Sequence, residues 1–369
     1  MVRGRSATIL SDGREIVYYS SSPAPPPAPP DRRGLAARAR RSTLRYDRLQ
    51  DAWVIYAAHR QDRSLLPADD QCPLCPSSSE RLTEIPAHDY EVVVFENRYP
   101  ALGADGRGAP ADAGDVLAEV PAGGRCEVIC YTADHDGTFA ALSEERVGLV
   151  LAALIDRSVA LGRRDDVEQV FCFENRGREI GVTQNHPHGQ IYAYPYVAPR
   201  LQRAITAAHR HRERTGRNLY DDLCAAERAD GRRLVLERAH WTAFVPFAAR
   251  WPYEVHCYPN ERVPDLAALG PDALEELPGV LLDLFGRFAR LFSVPAPYIA
   301  AWHQAPVHEA RDLVACHLEL FTSRRADDKL KYLAGSESAM DAFTNDILPE
   351  AAAERLRALG GRARPPAVR

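Results

Sequence analysis

The stretch TQNHPHGQIYAYP, residues 183–195, places two histidines and a glutamine at alternate positions ahead of an apolar, aromatic run. Successive side chains of a β-strand point to opposite faces, so His186, His188 and Gln190 are expected on one face of a strand. Polar residues on the solvent side of a strand would give the same alternation. Two other motifs in the chain, FENRG and CPLC, favour a chemical role for this face.

The composition of the chain is that of an ordinary globular protein. Its 369 residues leave room for two or three domains, with 46% hydrophobic and 26% charged residues. The net charge of −5 and the pI of about 6.2 argue against a nucleic-acid-binding surface. The chain has neither an apolar run of membrane-spanning length nor a signal-peptide core, so we expect a cytoplasmic protein that does not bind membranes. Its eight cysteines are then expected as thiols or metal ligands.

The order of the predicted elements divides the chain into four segments. Residues 1–20 alternate around an Asp-Gly turn and predict a β-hairpin, whereas the Pro/Arg-rich residues 21–41 predict an extended surface linker. Residues 42–198 and residues 199–369 each contain strands, one long helix and then two strands with histidines. This repeated order predicts a duplicated α+β fold with antiparallel sheets and flanking helices.

Several motifs, in order along the chain, resemble those of one family. HPHGQ preceded by FENRG is similar to the active-site signature of the galactose-1-phosphate uridylyltransferases, a branch of the histidine-triad superfamily. The resemblance covers nearly the whole chain and includes LRYDRLQDAWVIYAAHRQDR, CPLC, VFENRYPAL, VICYTADH, FVPFAARWPYEV, AWHQAP and KYLAGSE. It implies duplicated histidine-triad-like domains. It also implies a transferase of galactose metabolism that exchanges uridylyl groups between UDP-glucose and galactose 1-phosphate.

The catalytic residues that the resemblance implies are His188 and Gln190. A neutral imidazole is nucleophilic at physiological pH, since its reference pKa is about 6.5, and a uridylyl-histidine intermediate predicts ping-pong kinetics. A glutamine amide donates to a phosphoryl oxygen without exchanging a proton. Histidine-triad hydrolases carry a third histidine where this chain has Gln190, so glutamine favours transfer over hydrolysis. Gly189 between them lets another group approach the backbone closely.

Nine further positions match those at which the family contacts its substrates. Arginine is suited to phosphate because its guanidinium group is a forked donor. The last two positions are often supplied by the partner subunit in the family, which implies a homodimer. The matching residues are Arg60 and Arg63 for substrate phosphate, Asn97, Arg98 and Tyr99 for the nucleoside, Asn175 and Thr183 for the diphosphate, and Lys331 and Glu337 for the sugar and its phosphate.

The CPLC motif predicts half of a metal site. Cys72 and Cys75 have the two-residue gap of a zinc knuckle, although a pair of buried thiols would have the same spacing. The resemblance implies that His135 and His186 are the other two ligands. A closed Cys₂His₂ site of this kind is structural and would hold the strand that carries His188.

Some members of the family carry a second metal, often described as iron, bound by one glutamate and three histidines. His303 and His317 match two of the histidines, but Glu319 stands at the third and Ala204 at the glutamate position. An intact iron site is therefore not expected. Binding of another metal and a hydrogen-bonded polar pair both remain open.

A few residues depart from the family pattern or receive no role. Phe343 stands where some relatives have a polar glutamine near the hexose, so the choice of hexose is open. His240, His256 and His308 are expected to be packing or surface residues.

Three other functions remain as alternatives. A related nucleotidyltransferase, such as an ADP-sugar or dinucleotide phosphorylase, would keep HPHGQ and change the base pocket. A histidine-triad hydrolase is disfavoured by Gln190 and by the doubled length. A zinc-dependent nucleic-acid-binding protein would leave the HPHGQ face unexplained.

Overall fold

The structure, a computed structural model, describes residues 4–37, 42–62, 68–103, 109 and 114–360. The strands in these residues are β1 Gly4–Ile9, β2 Glu15–Ser20, β3 Thr43–Asp47, β4 Ala52–Tyr56, β5 Val92–Glu96, β6 Glu119–Pro121, β7 Arg125–Cys130, β8 Gln169–Arg176, β9 His188–Tyr194, β10 Leu234–Glu237, β11 Trp241–Phe244, β12 Tyr253–Pro259, β13 Tyr298–His303, β14 His317–Thr322, β15 Arg324–Ala326 and β16 Lys329–Leu330. The α-helices are α1 Glu144–Gly162, α2 Pro199–Thr215, α3 Leu219–Asp230, α4 Pro271–Ala289, α5 Gly335–Met340 and α6 Pro349–Ala358. Within the described ranges no helix is both long and apolar enough to span a membrane.

One eleven-stranded antiparallel sheet forms the centre of the molecule, in the order β1-β2-β5-β7-β9-β8-β13-β14-β12-β11-β10. The four strands β5, β7, β8 and β9 are arranged as first, second, fourth, third, and β11, β12, β13 and β14 repeat that arrangement. A 19-residue helix follows the second strand of each set, α1 in one and α4 in the other. The two sets join edge to edge where β8 pairs with β13. The predicted duplicated α+β fold is therefore confirmed, although the two halves share one sheet.

Helices α1 and α4 pack on one face of the sheet. The apolar residues of α1 recur at helical spacing, and Val147, Val150, Leu154 and Leu161 are all buried. The hydroxyl of Ser143 caps the helix by accepting a hydrogen bond from the backbone N–H of Arg146 at 3.1 Å. The inward-facing residues of the central strands complete this large core with both helices.

The opposite face of the sheet, called here the outer face, is covered unequally. Helices α2 and α3 pack over the second set of strands through Leu201, Ile205 and Tyr220, which form one apolar cluster with Phe244 and Tyr258. Over the first set, residues 72–90 cover β2, β5 and β7. His188 and Gln190 on β9 are half-buried on this face. The sequence analysis did not predict helix α3, which covers the sheet here with Tyr220 buried.

The N-terminal residues add a hairpin to the edge of the sheet. Strands β1 and β2 pair through a turn at Gly13, whose φ of 85° favours glycine, and β2 pairs with β5. The described part of the following Pro/Arg-rich segment, residues 21–37, contains no helix or strand. It is nevertheless anchored, because Arg33 forms ion pairs with Asp31 and Glu84 at 2.9 and 2.7 Å. This surface segment is therefore held against the residues 72–90 that cover the sheet.

Candidate functional site

Strand β9 begins at His188, so the predicted alternation holds for His188, Gln190 and Tyr192 but not for His186. His186 precedes the strand and is fully buried among side chains that could hold a metal ion. The expectation that His186 shares the strand face is therefore wrong. The register of β8 and β9 pairs Phe173 with Gln190, which places Asn175 on the same face as His188.

A backbone hydrogen bond fixes the orientation of the His188 ring. Its Nδ1 lies 2.7 Å from the carbonyl oxygen of His186. A carbonyl only accepts, so the Nδ1–H donates and Nε2 carries the ring's lone pair. This tautomer is the one in which Nε2 acts as a nucleophile.

Gly189 has to be glycine because another side chain occupies the space of its Cβ. A Cβ atom there would lie 2.2 Å from the hydroxyl oxygen of Tyr131 and 3.0 Å from the carbonyl oxygen of Phe173. The close approach expected at this position is confirmed. The tyrosine hydroxyl fills the gap on the inner side of the strand, between the two positions that carry His188 and Gln190.

Four side chains beside this strand form a candidate metal centre. The ligand atoms of Cys72, Cys75, His135 and His186 all lie within 4.8 Å of one another. The Cys75 Sγ atom is 3.4 Å from His135 Nδ1 and 3.6 Å from His186 Nδ1. Tetrahedral coordination with Zn–S and Zn–N bonds of about 2.3 and 2.0 Å separates sulfur and nitrogen ligands by about 3.5 Å. The residues therefore fit a tetrahedral ion such as Zn²⁺.

The surroundings of the cluster favour ligation by Nδ1 of His186. Its Nε2 lies 2.7 Å from the carbonyl oxygen of Thr132, to which it donates, and 2.8 Å from the hydroxyl of Tyr90. Burial lowers the pKa of His186 to about 4, which keeps the ring neutral. Burial raises the pKa of Cys72 to about 12, so its ligating thiolate form requires a cation.

Arg60, expected to contact substrate phosphate, lies beside the residues expected to contact the nucleoside. Arg60 donates from Nη1 to the carbonyl oxygen of Tyr99 at 3.1 Å and to the hydroxyl of Tyr192 on β9 at 3.4 Å. The side-chain oxygen of Asn97 accepts from the Tyr99 N–H at 2.8 Å. The central carbon of the Arg98 guanidinium lies 5.7 Å from the centre of the Tyr99 ring. These contacts link the loop after β5 to the outer face of β9.

The other expected substrate contacts are more dispersed. Thr183 lies in the loop between β8 and β9, and Arg63 is outside the described residues. Lys331 and Glu337 form an ion pair of 2.8 Å beyond β16. The described hydrogen bonds of these two side chains connect them to each other and to the neighbouring segment 334–344, not to β9.

A second cluster lies on the outer face of the second half, beneath α2 and α3. The strand register pairs His303 with His317, and it pairs Glu319 with both Ala301 and His256. Ligand atoms of His256, His317 and Glu319 lie within 4.8 Å of one another. Sequence reasoning gave His256 no role. The available signal was the alternation in YEVHCYP, which places it on the same face as the histidines of the paired strand.

This second cluster repeats the geometry of the first half. His317 begins β14 as His188 begins β9, and Glu319 follows it by two residues as Gln190 follows His188. The Nδ1–H of His317 also donates to the carbonyl oxygen two residues earlier, that of Ala315, at 2.8 Å. The two halves thus share both the order of their strands and the hydrogen bond from the first histidine of the strand to the carbonyl oxygen two residues earlier.

Two family models match the chain. The model described as galactose-1-phosphate uridyl transferase, N-terminal domain, matches residues 30–198, and the corresponding C-terminal domain matches residues 202–363. The chain belongs to the galactose-1-phosphate uridylyltransferase family. The two halves of its eleven-stranded sheet thus correspond to the N-terminal and C-terminal domains of that family.

Individual members of the uridylyltransferase family cover almost all of the chain. A galactose-1-phosphate uridylyltransferase of Streptomyces lividans is 44% identical, over 96% of this chain and 97% of the relative. The Thermotoga maritima enzyme of the same name is 35% identical, over 85% of this chain and 97% of the relative. A solved uridylyltransferase structure superposes with a TM-score of 0.74 at 29% identity, covering 86% of this chain and 98% of that chain. An ADP-glucose phosphorylase of Arabidopsis thaliana, with a TM-score of 0.63 and 23% identity over 86% of this chain and 99% of that chain, shares the fold.

Proposed function

We propose that the protein transfers a uridylyl group from UDP-glucose to galactose 1-phosphate through a covalent intermediate on His188. The observation that carries the proposal is the hydrogen bond from His188 Nδ1 to the His186 carbonyl, which directs the Nε2 lone pair to the half-buried outer face. The names of the relatives that match nearly the full chain support the choice of substrates.

The reaction proceeds by two displacements at the same phosphorus. His188 Nε2 attacks the α-phosphorus of UDP-glucose, the bond from that phosphorus to the bridging oxygen breaks, and glucose 1-phosphate leaves. A phosphate oxygen of galactose 1-phosphate then attacks the same phosphorus, which forms UDP-galactose and returns His188. While the uridylyl group is attached, the ring carries a positive charge. The His186 carbonyl stabilises this charge by accepting the Nδ1–H.

Gln190 supports transfer because an amide has no proton to give up to a leaving group and takes none from water. It lies two residues along β9 from His188, on the same face, and Asn175 on β8 faces that side as well. Donors in these positions stabilise charge on the transferring phosphoryl oxygens. The intermediate therefore persists until a sugar phosphate arrives.

The candidate metal centre has a structural role in this proposal. Cys72, Cys75, His135 and His186 would hold Zn²⁺, which supplies a fixed tetrahedral anchor when bound. The His186 side chain would be one of the ligands, and its carbonyl oxygen orients the His188 ring. The ligands need not contact substrate to influence the nucleophile.

The proposed substrate contacts are those that the resemblance to the uridylyltransferase family implies. Arg60 and Arg63 would bind substrate phosphate, residues 97–99 would bind the nucleoside, and Thr183 would bind the diphosphate with Asn175. No described hydrogen bond joins Lys331 or Glu337 to β9, which supports their action on the partner subunit's site in a homodimer. Residues 42–198 and 199–369 are the proposed domains.

Intact-mass measurement after mixing the protein with UDP-glucose and no acceptor tests the proposal. We expect a uridylyl adduct that maps to His188 and is discharged by galactose 1-phosphate. An adduct formed only with ADP-glucose would replace the substrate by that of a related nucleotidyltransferase. No adduct with either nucleotide sugar would overturn the mechanism.

Specificity for the hexose of the acceptor is tested by the same discharge of the uridylyl adduct. Phe343 packs against Trp251, with ring centroids 6.3 Å apart, and against the Arg250 guanidinium at 4.9 Å. Discharge rates with galactose 1-phosphate and with glucose 1-phosphate measure whether an aromatic residue at this position preserves the expected acceptor.

A further inference from the structure

The N-terminal hairpin places a buried arginine at the end of β5. Residues 4–20, which form the hairpin, precede the range 30–198 that the family model of the N-terminal domain matches. Arg14 follows the hairpin turn, has a side chain that is only 1% exposed, and donates from Nη1 to the backbone carbonyl oxygen of Glu96 at 2.9 Å. Glu96 is the last residue of β5 and directly precedes residues 97–99. The hairpin therefore contacts the base of the loop that is proposed to bind the nucleoside.

Glu84 joins this buried arginine to the nucleoside loop. One of its carboxylate oxygens, Oε2, accepts from Arg14 Nη2 at 2.5 Å. The other oxygen, Oε1, accepts from Arg33 Nη1 at 2.7 Å and from Arg98 Nη1 at 3.2 Å. Three guanidinium groups thus share one carboxylate, whose side chain is only 8% exposed. Charge-assisted hydrogen bonds on both oxygens fix the orientation of this carboxylate.

The two buried arginines of this cluster each have a second carboxylate. Arg14 Nε donates to Asp12 Oδ2 at 2.7 Å, and Arg33 Nε donates to Asp31 Oδ1 at 2.9 Å. Buried charges are tolerated when each is paired and hydrogen-bonded. Arg14 and Arg33 would therefore remain paired without Glu84.

Arg98 differs from the other two arginines in its exposure. Its side chain is 44% exposed, whereas those of Arg14 and Arg33 are 1% and 10% exposed. The central carbon of its guanidinium lies 5.7 Å from the centre of the Tyr99 ring, so the position that Glu84 holds adjoins another residue expected at the nucleoside. A guanidinium carries several N–H donors, so one bond orients it without using all of them. An arginine side chain that is already oriented loses less rotamer freedom when it binds a ligand.

We propose that Glu84 is a positioning residue, which holds the Arg98 guanidinium where it binds the nucleoside of UDP-glucose. The inference rests on the proposed function, because that function supplies the nucleoside contact of Arg98. The N-terminal hairpin contributes to substrate binding through the same cluster, because Arg14 anchors the Glu84 carboxylate.

The kinetics of a double displacement separate positioning from stability. The ratio kcat/KM for UDP-glucose compares the free enzyme with the first transition state, so it includes the formation of the nucleoside contacts. The ratio kcat/KM for galactose 1-phosphate starts from the uridylyl enzyme, in which the nucleoside is already bound. Loss of the Arg98 orientation should lower the first ratio and leave the second unchanged. A smaller folded fraction would instead lower both ratios equally.

Glu84→Gln tests the inference in the full-length protein. The fold should persist, because Arg14 and Arg33 keep their aspartate partners, and circular dichroism checks it. We expect kcat/KM for UDP-glucose to fall about tenfold and kcat/KM for galactose 1-phosphate to stay the same. Glu80→Gln is the matched control, an exposed glutamate of the same segment, and should change neither ratio. An equal decline of both ratios, or no decline of the first, would overturn the inference.

A double-mutant cycle shows whether Glu84 acts through Arg98. Arg98→Gln alone should also lower kcat/KM for UDP-glucose about tenfold, and adding Glu84→Gln should lower it little further. Effects of the two substitutions that multiply in full would mean that Glu84 acts by another route, against the inference. If Glu84→Gln alone does not fold, Arg33→Gln with and without Glu84→Gln gives the same comparison, because the pair removes one cation and one anion together.

The natural chain distinguishes failure of the inference from failure of the proposed function. Absence of a uridylyl adduct from UDP-glucose in the natural chain would contradict both. An adduct in the natural chain, with both ratios lowered equally in Glu84→Gln, would contradict the inference alone. Titration calorimetry with UDP gives the comparison without turnover, and binding should be about tenfold weaker in Glu84→Gln than in the natural chain or in Glu80→Gln. A smaller folded fraction would lower the stoichiometry of binding and leave the affinity unchanged, which would overturn the inference.

Discussion

His186 and His188 are coupled through one carbonyl group. The His186 side chain faces Cys75 at 3.6 Å within the candidate metal centre, and its backbone oxygen accepts from Nδ1 of His188 at 2.7 Å. Only one residue separates the two histidines in the chain. Displacement of the His186 ring therefore moves the group that orients the His188 ring, which connects metal binding to the chemistry of the outer face.

Replacing His188 by asparagine should abolish formation of the uridylyl adduct and lower turnover by at least about a thousandfold. His188 is half-buried on an otherwise intact strand, so the fold should persist. Intact mass and turnover measure the effect, and circular dichroism checks the fold. His308→Asn is the control at an exposed histidine. Turnover by His188→Asn at the natural rate would exclude this residue as the nucleophile.

Cys72→Ser should lose the metal ion and lower the free energy of unfolding by about 3 kcal/mol or more. Activity should decline as a consequence, because the His186 carbonyl would no longer be held in place. Elemental analysis and denaturant unfolding measure the two effects. Cys224→Ser is a matched control, since Cys224 is a thiol of α3 outside the candidate metal centre. If Cys72→Ser kept the full metal content, Cys72 would not be a ligand.

The individual strands and helices are predictable from local sequence patterns. Alternation along β8, β9, β13 and β14 and the helical spacing in α1 are dictated by the burial of one face, so they are visible in the sequence. The pairing of β8 with β13 joins residues more than a hundred positions apart and has no local signal. For that reason the sequence predicts the strands of each half but not the pairing that joins the two halves into one sheet.

Whether a candidate site residue can be predicted also depends on whether its partners are close in the sequence or distant. The Cys-Pro-Leu-Cys spacing is a local signal, but the approach of His135 and His186 to it was implied only by resemblance. His256 was missed because its partner Glu319 lies on a strand that follows in the chain after α4 and β13. Such a contact is created by sheet register and cannot be read from spacing alone.

Adding a methyl group at Gly189 should disturb β9 where it carries the nucleophile. Gly189→Ala places its Cβ 2.2 Å from the Tyr131 hydroxyl oxygen, and overpacking of this kind costs about 1–3 kcal/mol. We expect lower stability and a reduced rate of adduct formation. Denaturant unfolding and single-turnover mass spectrometry measure these effects.

A double-mutant cycle shows whether the tyrosine hydroxyl is the cause. Tyr131→Phe removes that oxygen and leaves the ring carbon Cζ at 3.1 Å as the nearest ring atom to the new methyl group. Gly189→Ala should therefore cost less in the Tyr131→Phe background than in the natural chain. Additive effects on the free energy of unfolding would mean that the carbonyl oxygen of Phe173 or the backbone itself sets the requirement for glycine.

Gln190→His should divert the intermediate to water. A histidine at this position exchanges protons, so it assists attack by water and protonates a leaving group, which glutamine cannot do. Release of glucose 1-phosphate from UDP-glucose without acceptor should rise on the order of tenfold, and transfer to galactose 1-phosphate should fall. Gln190→Asn, an amide of shorter reach, is the control and should not gain hydrolysis. Unchanged hydrolysis in Gln190→His would contradict the role assigned to the amide.

Glu174 should make stability depend on pH. It is buried on the inner side of β8, accepts a hydrogen bond from the Tyr298 hydroxyl at 2.7 Å, and burial raises its pKa from 4.5 to about 7. A carboxyl whose pKa is raised by folding binds its proton more tightly in the folded state. Its contribution to stability is therefore full below pH 4.5 and is lost progressively as the pH rises to about 7.

The variant Glu174→Gln isolates this effect, because the amide oxygen still accepts from Tyr298 and does not titrate. Between pH 4.5 and about 7 the natural chain should lose about 3 kcal/mol of unfolding free energy relative to the variant. Denaturant unfolding of both proteins at several pH values in the presence of Zn²⁺ gives this difference and cancels the titration of the metal ligands that they share. A difference that does not change with pH would mean that Glu174 is ionised in the folded protein and that Tyr298 and its surroundings compensate for its burial.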